Sequence, residues 1–293
     1  MKSPQDCSIF YPDFNRRVNL ASTGELVPAF ASIMRNWKQE QGAGLSGEPD
    51  MIFSRHRHKY DWRITYDGLC ADDLDGKPDN PGDATCDFHY ELYRWYRSAF
   101  PRHLCLHAAS CIFATGAVIF PTTFESGKSV LSVALAARGL KVMADDVIAL
   151  DVQSRELVAL GLMPRLRLPL PLKAMGADLA RFVTDRQGLS GRRDTYVSLE
   201  DRVFCGLGER SVMEGLVILN RSQKYLPARL TAVGHAEALR SLIGQNFNTT
   251  IEVQTIFAAL KAVVTGGRNF KLTYSDPGEA CAVLEKEFGN ARV

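Results

Sequence analysis

Apolar positions recur along this chain in two rhythms, and the change from one to the other divides it. Over residues 1–70 short apolar stretches alternate with polar breaks: 8–11, 26–30, 51–53 and 62–66. They predict short strands, with some helix near 30–41. From 71 to 87 the chain is rich in Asp, Gly and Pro and nearly free of apolar residues. That composition predicts an exposed loop or linker.

Helical periodicity resumes over 90–97, with Leu92, Tyr93 and Tyr96 on one side. The runs 104–110, 111–114 and 117–120 suit buried strands. Residues 129–138 present a helical apolar face, and Gly139 supplies a stop signal. Residues 140–144 read as a strand that ends on Asp145-Asp146. Beyond it, 156–170 looks β-rich, and the basic stretch 185–202 reads as a surface loop. A buried strand is predicted at 216–220, helices at 235–243 and 251–264, a strand at 270–274 and a final helix at 277–288. The division is therefore a β-rich N-terminal region, 1–88, ending in a polar linker, and an α/β domain, 89–293.

Composition narrows the partners. A chain of 293 residues, 46% hydrophobic and 23% charged, is ordinary for a globular protein. A formal charge of +2, with no basic stripe interleaved with aromatics, points away from nucleic acid. No segment approaches the roughly 18–20 apolar residues of a membrane span. The 7 cysteines form no CxxC pair, which argues against a zinc site or disulfide framework. Residues 1–6 lack the apolar run of a signal peptide. A cytoplasmic location is the expectation.

The chemistry concentrates in Thr122-Thr123-Phe124-Glu125-Ser126-Gly127-Lys128-Ser129. A strand precedes it, a helix follows, and the next strand ends on the aspartate pair. In a phosphate-binding loop the backbone N–H groups cradle phosphate at a helix N-terminus, the lysine reaches the β- and γ-phosphates, and the next hydroxyl holds magnesium. Thr122, Thr123, Ser126, Gly127, Lys128, Ser129 and Val130 are the candidate nucleotide-binding residues, with ATP and Mg2+ as the candidate ligands.

Three further segments join this one: Leu106-His107-Ala108-Ala109-Ser110, Ala117-Val118-Ile119-Phe120, and the run from Ala136 through Arg138-Gly139 to Asp145-Asp146-Val147. Together they resemble the catalytic domain of HPr kinase/phosphorylase, and more closely the shorter bacterial HPr-kinase-like serine kinases. In that family a histidine opens the strand before the loop and the lysine follows 21 positions later, as Lys128 follows His107. Weaker similarity continues through Gly215–Leu219 and Ala236–Leu242, so the resemblance covers about 90–285.

The resemblance implies a mixed β-sheet core of the P-loop kind, flanked by helices. It implies a kinase that moves the γ-phosphate of ATP to a serine or other hydroxyl of a peptide, protein or metabolite. Lys128 would contact the phosphates and Asp145 would be the general base. Asp146 would orient that base or, with Ser129, the metal, and His107 would sit beside the aspartates. Hexamers in the family make a homo-oligomer consistent with it.

Two departures keep a second reading open. The glycine-rich loop has become Pro121-Thr122-Thr123-Phe124-Glu125-Ser126, and the family's metal-binding glutamate has as its nearest counterpart Met163-Pro164-Arg165-Leu166-Arg167, without an acid. The alternative is a catalytically impaired pseudokinase that binds nucleotide or peptide. Arg165 and Arg167 suit either a phosphate or an ordinary solvated strand face. Residues 55–59, Arg-His-Arg-His-Lys, read as a solvated charge run, and His89 and His103 as structural.

Overall fold

Residues 6–42, 47–73, 76–121, 126–247 and 250–289 are described by the computed structural model. The first strands, β1 (Cys7–Tyr11) and β2 (Arg16–Ala21), form an antiparallel hairpin. Helix α1 (Leu26–Ser32) follows, then the short edge strand β3 (Glu40–Gly42) and the hairpin β4 (Met51–His56) and β5 (Lys59–Ile64). The sheet order is β3-β1-β2-β4-β5. Alternate residues Ile9 and Tyr11, Val18 and Leu20, Met51 and Phe53, Tyr60 and Trp62 are buried, so one face of this sheet is core. Residues 55–59 form the exposed tip of the β4–β5 hairpin, as expected of a solvated charge run.

The expected strand at 26–30 is instead α1. Leu26, Ala29 and Phe30 are buried at spacings of three and four, a helical rhythm that a five-residue run hardly separates from a strand. The helix expected near 30–41 ends at Ser32. The polar stretch 71–87 is also corrected, because its last residues open helix α2 (Pro81–Ala99). Asn80 caps that helix, accepting from the Asp83 N–H, and Pro81 occupies its first turn. The same Asn-Pro that reads as a loop by composition is a helix start by geometry. Ala84, Phe88, Leu92, Trp95 and Tyr96 pack α2 onto the β1–β5 sheet and the sheet that follows.

The second sheet is built from β6 (His103–Ile112), β7 (Ala117–Pro121), β8 (Lys141–Ala144), β9 (Val147–Asp151) and β10 (Glu156–Val158), with α3 (Lys128–Ala137) between β7 and β8. A small three-stranded sheet follows, of β11 (Arg165–Arg167), β12 (Gln187–Ser190) and β13 (Asp194–Val197), with α4 (Ala177–Asp185) before β12. It replaces the surface loop expected over 185–202, where β12 lacks a buried face and so carries no alternation. The second sheet is completed by β14 (Arg210–Arg221), β15 (Arg229–Ala232) and β16 (Arg268–Tyr274). Helices α5 (His235–Ile243), α6 (Val253–Gly266) and α7 (Pro277–Phe288) lie where the periodicity puts them.

The order is β10-β9-β6-β7-β14-β16-β15, with β8 also on β6. Strands β7, β14 and β16 are parallel; β6 is antiparallel to β7 and to β8 and β9. One face, with Cys105, Ala109, Val118 and Val217, packs with α2, α3 and α7. The other, with Leu106, Ile119 and Leu216, packs under α5 and α6. Burial on both faces explains the near-continuous apolar runs of β6, β7 and β14. The architecture is α/β with a mixed central sheet.

Position 88/89 lies inside α2, and one apolar cluster runs from Ile9, Trp62 and Phe88 to Leu131 and Val217. Trp37 Nε1 donates to the Leu160 carbonyl at 2.7 Å, which ties the N-terminal region to the segment before β11. Among the described residues no helix is long and apolar enough to cross a membrane.

Candidate active site

Three segments distant in sequence converge on the middle of β6. The first is the start of α3. Gly127 adopts φ +87°, and Lys128 is the first helical residue, held by the apolar packing of Leu131, Val133 and Leu135 behind it. The second is the break between β8 and β9. Ala144 lies opposite Ser110 and Val147 opposite His107, so pairing lapses over Asp145 and Asp146 at the level of Ala108 and Ala109. The third is β6 itself, whose His107 shares a face with Cys105 and Ala109 and so points to the α3 side.

The expected residues therefore meet. His107 Nε2 is 2.9 Å from Asp146 Oδ1 and 3.1 Å from Lys128 Nζ. A single ring nitrogen faces an ammonium and a carboxylate, and the tautomer decides which it serves. Asp145, 5% exposed, accepts the Arg165 N–H on Oδ2 at 3.0 Å, with the Ser129 side chain near enough to favour its ionised form. Its Oδ1 is buried without a partner among the described residues. Ser129 thus stands beside Asp145, while Asp146 faces His107.

The other side of Asp146 holds a chain of buried hydroxyls and a ring. Tyr93 Oη lies 3.5 Å from Asp146 Oδ2, His89 Nε2 lies 2.6 Å from Tyr93 Oη, and His89 Nδ1 lies 2.9 Å from Tyr196 Oη. The carboxylate only accepts, so Tyr93 donates to it and accepts from His89 Nε2–H. Nδ1 then accepts from Tyr196. This tautomer requires a neutral ring, and burial, reinforced by the Arg165 charge, pushes the His89 pKa down to about 3. Arg165 Nη2 is 3.9 Å from Asp146 Oδ2, with its guanidinium 5.3 Å from the centre of the Tyr90 ring. Its side chain is 14% exposed, so of the two readings for this strand Arg165 does not take the solvated one; Arg167 is exposed.

These surroundings separate two adjacent carboxyls. Burial, with the Asp146 charge adding to it, pushes the Asp145 pKa up to about 6. Burial acts on Asp146 too, but the His107 hydrogen bond and the Arg165 charge overcome it and hold Asp146 well below the usual carboxylate range. Lys128 is lowered by burial, against the pull of both aspartates. Such a divided pair assigns distinct roles: a proton acceptor poised near neutrality and a permanent anion. A space of about 10 Å3, the size of one water or hydroxyl oxygen, lies among Asp145, Asp146, Tyr93, His89, Met163 and Arg165.

Of the remaining candidates, Thr122 and Thr123 lie outside the described residues. The Ser126 carbonyl accepts from Tyr274 Oη at 3.1 Å, and its own Oγ is buried without a partner among the described residues. Val130 packs its half-buried side chain against the core. His89, read as structural, belongs to the site. So do Tyr93, which the sequence places only on the apolar side of a helix, and Tyr196; the spacing of His89 and Tyr93 by four on α2 is the signal that could have paired them. No family model matches the chain, and no curated protein matches it.

Proposed function

We propose that the chain is an ATP-dependent kinase of the HPr-kinase-like class, with a phosphate-binding loop between β7 and α3. It transfers the γ-phosphate to a serine or other hydroxyl of a peptide, protein or small molecule. The observation that carries this reading is the contact of Lys128 Nζ with His107 Nε2 at 3.1 Å, and of that nitrogen with Asp146 at 2.9 Å. Residues picked out by motif and by family resemblance lie within hydrogen-bond distance of one another.

In this reading the substrate hydroxyl lies against Asp145. As its oxygen bonds to the γ-phosphorus, the bond to the β–γ bridging oxygen breaks, ADP leaves, and the hydroxyl proton passes to Asp145. A carboxyl whose pKa is about 6 suits that step near neutral pH. Asp146, kept ionised, fixes His107 and adds to the field that favours proton uptake by its neighbour. Lys128 and the open N–H groups of the first turn of α3, whose cap is a glycine without a side-chain acceptor, face the phosphates. Magnesium fits the oxygen donors present, a serine hydroxyl on Ser129 and a carboxylate kept ionised on Asp146. Ser129 and Asp146 would hold the ion, which when bound would neutralise phosphate charge.

The pseudokinase reading is favoured by one feature: Thr122, Thr123 and Glu125 stand where an open glycine loop would place its backbone against the anion. Calorimetric titration with Mg-ATP, joined to a γ-phosphate transfer assay on hydroxyl-bearing peptides, decides between the two. Binding and transfer by the wild type, both lost in Lys128→Ala, support the kinase. Binding without transfer supports the pseudokinase, and absence of nucleotide binding sinks the kinase and leaves only a peptide-binding pseudokinase.

A further inference from the structure

Strands β7, β14 and β16 are parallel and end at one edge of the sheet, where α3 begins. The last residue of β14 is Arg221, in register with Tyr274 at the end of β16. It shares its face with Val217 and Leu219, the face covered by α3 and α7. Both terminal side chains lean over the loop. Tyr274 Oη donates to the Ser126 carbonyl at 3.1 Å. A Cβ on Gly127 would lie 2.6 Å from Tyr274 Oη and 3.1 Å from Arg221 Cδ. Arg221 thus reaches the peptide immediately before Lys128.

Its charge is unmatched. Arg221 is half-buried and makes no ion pair or side-chain hydrogen bond with any described residue, unlike the paired Arg138, Arg192, Arg210 and Arg268. A guanidinium keeps its charge at all physiological pH and presents a flat fork of donors suited to phosphate. Next to Gly127, Ser126 Oγ is also buried without a partner among the described residues. Lys128 stands beside His107 of β6, while Arg221 meets Gly127 from the end of β14.

We propose that Arg221 is a second phosphate-binding cation, which takes the triphosphate of the nucleotide together with Lys128. The proposal rests on the kinase reading of the same site. It gives the loop a positive group where the sequence has few glycines to bring backbone N–H groups close, so a side-chain fork contributes what the backbone of such a loop supplies less of.

The test is calorimetric titration of the full chain with Mg-ATP and with inorganic triphosphate, which has no base or ribose. Wild type, Arg221→Ala, Arg221→Gln, Arg221→Lys and Lys128→Ala are compared, with thermal melting of each unliganded variant as the check on folding. The expected result is a loss of about tenfold or more for both ligands in Arg221→Ala and Arg221→Gln, with partial recovery in Arg221→Lys. Unchanged affinity in Arg221→Gln, alongside loss in Lys128→Ala, overturns the role of Arg221 and leaves the kinase reading standing. A loss confined to ATP, with triphosphate unaffected, overturns it as well, because the contact is then not to phosphate. No binding of either ligand by the wild type removes the kinase reading and this proposal with it.

Discussion

The ammonium of Lys128 sits 3.1 Å from Nε2 of His107, although one residue opens a helix and the other lies in mid-strand. Lys128 is only 8% exposed, so its charge has been taken out of water and is balanced chiefly by Asp146 and Asp145. Burying a charge costs stability unless partners repay it, and removing one member of such a cluster leaves the others uncompensated.

Lys128→Met keeps the packed stem but leaves Asp145 and Asp146 with less compensating charge, so its melting temperature is expected to fall below that of the wild type. The substitution also abolishes stabilisation by Mg-ATP and lowers phosphate transfer by about 10² or more, the usual scale for one lost electrostatic contact to a transition state. Thermal melting with and without Mg-ATP checks both halves. A variant that still responds to Mg-ATP contradicts the assignment.

Asp145 predicts a conflict between stability and activity. Its folded pKa of about 6 exceeds the unfolded value of 3.8, so between these pH values the folded state binds more proton. Stability then falls as pH rises through that window, and above it a penalty of about 3 kcal/mol persists. Asp145→Asn retains an acceptor for the Arg165 N–H and carries no charge. At pH 8 in metal-free buffer its unfolding free energy is expected to rise by about 1–3 kcal/mol, while transfer activity is lost. Equal stability at pH 8, measured by urea unfolding, would contradict the burial of an ionised carboxylate here.

Two glycines with nearly the same backbone angle separate strain from crowding. Gly139 has φ +91° and nothing within 4 Å of a built Cβ; Gly127 has φ +87° and a hydroxyl 2.6 Å away. Gly139→Ala is expected to cost roughly 1–2 kcal/mol, the strain of a left-handed alanine. Gly127→Ala should cost about 1–3 kcal/mol beyond that, from overpacking against Tyr274. In a double-mutant cycle Tyr274→Phe removes the obstructing oxygen, so the pair should be more stable than the sum of the singles by more than about 1 kcal/mol. Additive effects would mean that Tyr274 does not set the space.

How much of this could be read in advance depended on what each residue's meaning required. Helices α5 and α7 and strand β16 were legible because apolar periodicity runs to clear Gly or Pro boundaries. Residues 26–30 were not, since so short a run fits both periods. The start of α2 was hidden because its first turn is capped and proline-bearing, and so resembles a loop. Lys128, Asp145 and Asp146 could be picked out by local motif and fixed spacing, and His107 only through the family resemblance. Tyr93 and His89 could not, because their role comes from the packing of α2 on the sheet, a tertiary fact with no local signature.

His89 supplies the last expectation, and it runs opposite to that of Asp145. Its pKa is pushed down to about 3, below the 6.5 of an unfolded histidine, so the unfolded chain binds more proton between those values. That contribution to stability is complete above about pH 6.5 and is lost as pH falls. Between pH 6.5 and 4 it removes about 3 kcal/mol, while Asp145 over nearly the same interval restores a similar amount. The two slopes largely cancel in the wild type. Each single variant should uncover the other: His89→Gln, which keeps donor and acceptor for Tyr93 and Tyr196, gains stability on going from pH 6.5 to 4 relative to wild type. Asp145→Asn loses it more steeply. Urea unfolding at several pH values across this window, without metal, reads both slopes. Variants that run parallel to the wild type would show that neither buried group titrates with folding.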